Sequence, residues 1–268
     1  MKPIEFKGQT AVITGAASGM GLCASRELAK LGATVFMCDI NREAVERSAA
    51  EIGATGGTAF PCVVDVRNHA DAEKTAALAL EKTGRIDLLI CFAGGWEPRM
   101  CNSFHPFYEQ PYDVLDWGID VNLKGPIYFA RACMPSMIAA GHGVMCFLGS
   151  ITGFEGCGEG AMYGTAKSGL YNFVKGLSQA GAAKGVRAFC VSPGPVMTRP
   201  GADNLNTLIP RAAEPIEVVD FILYLMSENG AYVTGSNHVI DGGRLSMQPP
   251  KKDVYRQMVA AGAAVASN

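Results

Sequence analysis

The chain has 268 residues, 49% of them hydrophobic and 18% charged, with a formal net charge of -2; these values suit one large globular α/β enzyme and exclude a disordered or fibrous chain. No dense Lys/Arg run offers an electrostatic footprint for nucleic acid or an anionic membrane, so small molecules are the expected partners. Met1-Lys2-Pro3-Ile4-Glu5-Phe6-Lys7-Gly8 has no apolar leader core and no later apolar run reaches the ~20 residues of a membrane span, so a cytoplasmic protein is expected.

In chain order, short β-rich apolar runs alternate with helical periodicity. The strand candidates are 10–14, 35–39, 59–65, 88–93, 144–148, 187–192 and 237–241, and the helical stretches are 19–31, 42–50, 69–83, 112–140, 163–184 and 214–227. Seven strands joined by helical crossovers predict a single α/β domain, a doubly wound Rossmann-type parallel sheet, with 244–268 as a C-terminal extension. Two stretches resist the pattern, 95–111 and 197–213, and both directly follow strands. Ligands of such sheets bind beyond the strands' carboxyl ends.

After the first strand comes Thr14-Gly15-Ala16-Ala17-Ser18-Gly19-Met20-Gly21. Glycines between a strand and a helix let a pyrophosphate approach backbone N–H groups and the positive helix end, although a plain tight turn has the same composition. Position favours the phosphate reading, with Gly15, Ser18, Gly19, Met20 and Gly21 as contacts. Asp39 then ends the second strand, where a carboxylate can accept from adenosine ribose hydroxyls and would repel a 2′-phosphate. Asn41 is the better cap for the following helix, which leaves Asp39 and Ile40 for the nucleoside and favours NAD over NADP. Arg42 is the one residue placed to soften that preference by pairing with a phosphate. Asp65 and Val66 either line the adenine or form a strand-end turn.

Nine cysteines are an odd number, none lies in a C-x-x-C, and Cys62, Cys91, Cys146 and Cys190 fall in apolar strand-like runs. They read as reduced, buried thiols. His69, His105, His142 and His238 have no ligand spacing, so no metal is expected in catalysis.

The most informative residues lie in Ala161-Met162-Tyr163-Gly164-Thr165-Ala166-Lys167, with Ser150 thirteen positions before the tyrosine. Helical spacing brings Lys167 onto the face of Tyr163. An ammonium at roughly 4 Å and an effective dielectric of about 20 attracts a phenolate by about 4 kcal/mol, enough to carry a phenol from ~10 toward neutrality. Tyr163 would then serve as a general acid/base, and Ser150 would bind the substrate oxygen. The pair Tyr171 and Lys175 has the same spacing, but thirteen positions before it stands Gly158. That second pair is expected on the helix surface or in a subunit contact.

Together with Asn122 in Val121-Asn122-Leu123-Lys124-Gly125, the segment Pro193-Gly194-Pro195-Val196-Met197-Thr198, and Asp241-Gly242-Gly243, this ordered set resembles the short-chain dehydrogenase/reductase family from about Thr10 to Gly243. The resemblance implies that Tyr163 exchanges the hydroxyl proton, Lys167 lowers its pKa and bonds nicotinamide ribose, Ser150 orients the carbonyl, and Asn122 holds a proton-relay water. Val196 and Thr198, with Pro193, would anchor the carboxamide, and a homotetramer or homodimer would form on the two longest helices. The implied activity is interconversion of a secondary alcohol and a ketone with NAD; the alternatives are an NADPH-dependent 3-oxoacyl or other carbonyl reductase and a catalytically silent nucleotide sensor.

One departure stands out: the family's usual Asn-Asn-Ala-Gly after the fourth strand is here Cys91-Phe92-Ala93-Gly94. Ala93 and Gly94 still allow close approach to the cofactor ribose, but the hydrogen bonds of the two amides must be supplied otherwise or lost. The 95–111 loop is longer than usual and the 198–214 span shorter. Substrate candidates are Trp96, Phe154 and Met197 beside Ser150, an apolar or mixed set. Trp96 is equally a loop anchor, and Glu155 is either a substrate ligand or a solvated carboxylate.

Overall fold

Seven parallel strands form one sheet in the order β3-β2-β1-β4-β5-β6-β7, in a computed structural model that describes residues 2–199 and 207–247. The strands are β1 (Thr10–Thr14), β2 (Thr34–Asp39), β3 (Thr58–Val63), β4 (Leu88–Cys91), β5 (Gly143–Leu148), β6 (Val186–Pro193) and β7 (Asn237–Ile240). The central ones are apolar throughout because both faces are covered: Leu88, Leu89, Ile90 and Cys91 of β4 are all buried. Successive side chains point to opposite faces. Leu88 and Ile90 join one core with α1 (Gly19–Lys30), α2 (Arg42–Ala54) and α9 (Pro215–Met226). Leu89 and Cys91 join the other, with α3 (His69–Thr83), α6 (Gly125–Ala140) and α8 (Ala161–Gly181).

The expected doubly wound sheet is therefore present, with three departures in the elements. The 59–65 strand stops at Val63, so Asp65 and Val66 lie in the turn beyond β3. The 95–111 loop contains a short helix, α4 (Glu97–Met100), and another, α7 (Thr152–Glu155), follows Ser150. The long 112–140 helix is broken into α5 (Tyr112–Ile119), a π-helical turn Asp120–Lys124, and α6. Pro126 explains the break, since it has no N–H to donate to the carbonyl of Asn122, four residues earlier.

Helix ends follow local chemistry on the first half of the sheet. Asn41 caps α2 by accepting from Ala44 N at 3.0 Å, as expected, and Asn68 caps α3 by accepting from Ala70 N at 3.1 Å. Cys62, Cys91, Cys146 and Cys190 are buried. Among the described residues, no helix is long and apolar enough to cross a membrane. Most of the C-terminal extension, 248–268, lies outside the described residues, as do 200–206 of the 197–213 stretch.

Candidate active site

Beyond the carboxyl ends of β1 and β4 the glycine turn meets the Ala93-Gly94 segment. Gly15 and Gly19 have φ of +67° and +52°, the left-handed region that a side chain disfavours. A Cβ on Gly15 would stand 2.7 Å from Ala93 N, and one on Gly21 would collide with the Gly15 carbonyl oxygen. The turn therefore needs glycine to close. The cap residue Ser18 makes no side-chain hydrogen bond and the first turn of α1 has no acidic residue, so the positive end of this helix is left open for an anion. These features fit a dinucleotide pyrophosphate.

Asp39 is held beside that turn, its carboxylate accepting from Ala17 N and Asn41 N, both at 3.0 Å. Those bonds leave lone pairs for ribose hydroxyls. Ile40 is 66% exposed next to it, an apolar surface fit for a base. Arg42 pairs with Glu46 at 3.0 Å, so the cation that was to soften the NAD preference already has a carboxylate. Asp65 follows the turn reading: it pairs with Arg67 at 2.6 Å, which holds its carboxyl below its ordinary range. Val66 is buried under the start of α6.

Where the family's two amides are missing, Cys91 and Phe92 fill the two cores, and other groups hold the backbone. Thr14 Oγ1 accepts from Ala93 N at 3.2 Å. Asn122, fully buried in the π-helical turn, clamps Gly95 twice, accepting from its N at 2.9 Å and donating to its O at 3.0 Å. Its second amide hydrogen goes to Gly118 O at 2.9 Å. Both donors of the Asn122 side chain are thus committed to backbone, and a relay water would rest on its remaining acceptor capacity. Gly94 is exposed at the floor of the cleft, where a Cβ would stand 2.6 Å from Asn122 Oδ1 and 3.4 Å from Lys167 Nζ.

Tyr163 and Lys167 lie together on α8, with Lys167 Nζ 5.4 Å from the centroid of the Tyr163 ring. The ammonium is buried and donates to Leu148 O at 2.7 Å, at the end of β5. Burial brings its pKa down to about 8. The same burial pushes the Tyr163 phenol above its ordinary value, opposed first by a hydrogen bond with Ser150 and then by the positive charges of Arg99 and Arg199. The Lys167 ammonium is engaged with the Leu148 carbonyl and flanks the ring, and two arginines not singled out in the sequence, Arg99 and Arg199, also bear on the phenol. Ser150 is buried, its Oγ placed by Thr152 N and Thr152 Oγ1, each at 3.2 Å.

Three further residues shape the site. Glu97 on α4 is 1% exposed, and its Oε1 accepts from Met162 N at 3.0 Å and Tyr163 N at 3.2 Å. It thus caps α8 from a distant loop, and its charge pushes the Tyr163 phenol up. Nothing local announces this, because the partners are 65 and 66 residues apart. Tyr171 is half-buried, not on the open helix surface: its hydroxyl donates to Ser150 O and accepts from Ser192 Oγ at 3.2 Å. Phe154 stacks on it with centroids 4.7 Å apart. Lys175, its spacing partner, is exposed as expected.

Of the remaining candidates, Trp96 packs its indole against Gly160 at the start of α8 and leaves Nε1 without a partner, which is the loop-anchor geometry. Val196 bridges to Ala213, and Met197 N donates to Ala213 O at 2.8 Å. Pro193 is buried at the end of β6, and Thr198 is exposed with Cγ2 3.4 Å from where a Gly19 Cβ would lie. Glu155 is neither free nor merely solvated, since Arg244 donates to it at 2.9 Å.

Residues 9–207 match the family described as short chain dehydrogenase. The chain belongs to that family. As a short-chain dehydrogenase it is an oxidoreductase of the CH–OH group. It is 28% identical over 249 residues to the 7α-hydroxysteroid dehydrogenase of Bacteroides fragilis, covering 89% of this chain and 95% of the relative. It is 31% identical over 249 residues to the 2-dehydro-3-deoxy-L-rhamnonate dehydrogenase (NAD(+)) of a Sphingomonas strain, covering 90% and 96%. A solved 7α-hydroxysteroid dehydrogenase, complexed with NADH and 7-oxo glycochenodeoxycholic acid, superposes on the dehydrogenase with a TM-score of 0.82 at 25% identity, covering 91% and 98%.

Proposed function

We propose that this chain is an NAD-dependent dehydrogenase interconverting a secondary alcohol and a ketone, with Tyr163 as the proton donor and acceptor. The observation that carries the reading is Tyr163 beside the buried Lys167 on α8, the ammonium 5.4 Å from the ring centroid and fixed by Leu148 O at the end of β5, two residues before Ser150. Tyrosine and serine hydroxyls at that end of the sheet suit a substrate oxygen on which negative charge develops.

The residues to hold the dinucleotide are the glycine turn with the open end of α1, Asp39, Gly94, Lys167 and Thr198. Bound NAD would accept a hydride from the carbinol carbon, and NADH would return it. Tyr163 takes the hydroxyl proton in oxidation and gives it back in reduction. Ser150 donates to the oxygen and holds it toward the phenol. Lys167, fixed by Leu148 O, keeps a cation under the ring. Asn122 holds Gly95, and with it the floor of the cleft, in place. A preference for NAD is supported by the Asp39 carboxylate, which a 2′-phosphate would face as a like charge, and by the pairing of Arg42 with Glu46. Two of the relatives point the same way, one bound to NADH and one named for NAD.

Tyr163→Phe is the decisive test. Removing the general acid/base should lower kcat by about 10²–10⁴, read by steady-state NADH formation on whichever of a panel of secondary alcohols, sugars and steroids the wild type oxidises. NADH binding, titrated by nicotinamide fluorescence, should survive and exceed NADPH binding. Unchanged turnover in the variant would reject the assignment.

A further inference from the structure

Most arginines near charged neighbours are neutralised: Arg67 by Asp65, Arg85 by Asp87 and Arg211 by Glu217. Arg99 and Arg199 break this pattern. Among the described residues neither has a carboxylate or carbonyl partner, and both are exposed. Two elements that end at the cleft carry them: Arg99 is on α4, two residues from the Glu97 that caps the Tyr163 helix, and Arg199 follows Thr198, beside the glycine turn. Arg99 Nη2 stands 3.7 Å from where a Cβ of Gly95 would be, one residue beyond the Gly94 floor. Their charges act on each other and on the Tyr163 hydroxyl. Two cations at the mouth of one cleft, with no carboxylate partner among the described residues, are an arrangement that a bound anion would relieve.

We propose that Arg99 and Arg199 form an oxyanion-recognition site and that the substrate is a hydroxy or oxo compound carrying a carboxylate or phosphate. The proposal rests on the dehydrogenase reading above and names the substrate class of that site. Guanidinium forks match such groups through paired N–H donors. With the anion held at the mouth, the reacting carbon is placed deeper, toward Tyr163 and Ser150. The same two cations favour the phenolate, so binding the anion there also tempers their effect on Tyr163 and couples substrate charge to the proton acceptor.

The test uses NADH-saturated protein and matched probes: levulinate against levulinamide, and dihydroxyacetone phosphate against dihydroxyacetone. Binding is read by nicotinamide fluorescence and turnover by NADH consumption. At least one charged probe should bind about tenfold more tightly than its neutral twin, as expected for hydrogen bonds to a charged group. Added salt should narrow the ratio. Arg99→Gln and Arg199→Gln should each bring it toward one, and Arg99→Lys should keep part of it. The pair with the larger ratio separates carboxylate from phosphate. A ratio near one in the wild type, no response to either charged probe, or a ratio unchanged in the double variant overturns the site. So does an Arg199→Gln effect confined to NADH affinity, which would give that cation to the cofactor. Charge-selective binding without any NADH consumption would instead count against the dehydrogenase reading and leave the anion site standing.

Discussion

The two helices that begin at the cleft, α1 and α8, start in opposite ways. Helix α1 opens with an unbonded Ser18 cap and no acidic residue in its first turn. Helix α8 opens against the buried carboxylate of Glu97, which takes the N–H groups of Met162 and Tyr163. Each helix start carries unpaired donors and a partial positive charge. At α1 that charge remains for a ligand anion; at α8 the protein answers it internally. The first end is built to receive and the second to hold Tyr163 still.

Closing the open end should have the largest effect. Gly21→Ala would put a Cβ on the Gly15 carbonyl oxygen, and the turn can relieve the collision only by moving. A displacement costing about 1–3 kcal/mol would weaken NADH by about 5- to 150-fold, measured by fluorescence titration. Normal NADH affinity in this variant would mean that the end of α1 is not the dinucleotide cradle.

Opening the closed end comes next. Glu97→Ala strands two buried N–H groups at a cost of about 1–3 kcal/mol, or some 2–4 °C of Tm per kcal/mol for a chain near this size, and kcat should fall because Tyr163 loses its fixed start. Glu97→Gln keeps an accepting oxygen and removes the charge, so it should recover most of the stability. It also has its own signature. Alcohol oxidation needs the phenolate, so its rate rises as pH rises through the Tyr163 pKa; Glu97 pushes that pKa up, while Arg99 and Arg199 pull it down. The rising limb should therefore move to lower pH in Glu97→Gln. A pH profile that does not move, with stability restored, would reduce Glu97 to a structural cap.

The same contrast explains what the sequence makes legible. On the α1 side the determinants are near neighbours in the chain: Asn41 caps three residues ahead, and Asp39 reaches Ala17 across 22 residues along adjacent strands. Strand, glycine turn, helix and acidic strand end can be read in order, and the sheet follows from their alternation. On the α8 side Tyr163, Lys167 and Ser150 are legible by spacing, but the groups that tune them are not. Glu97 and Arg99 arrive on a loop with no periodic signal, and Asn122 reaches Gly95 across 27 residues from the π-helical turn. Helical spacing brings two residues to one face, yet the Leu148 carbonyl at the end of β5 decides where the ammonium stops.

The smallest effect belongs to the pair with the repeated spacing. Tyr171 holds Ser150 from behind: its hydroxyl donates to the Ser150 carbonyl and accepts from Ser192 Oγ, which lies 2.8 Å from Asn237 Oδ1. Tyr171→Phe keeps the stack on Phe154 and deletes only that tether, worth about 0.5–1.5 kcal/mol. In the proposed mechanism Ser150 binds the substrate oxygen and not the dinucleotide, so kcat should fall about 2- to 10-fold with NADH affinity unchanged, whereas the exposed Lys175→Ala should leave both as they are. A matched loss of NADH affinity in Tyr171→Phe would mean that the tether supports the whole cleft, α1 end included, and that the two helix starts are not independent after all.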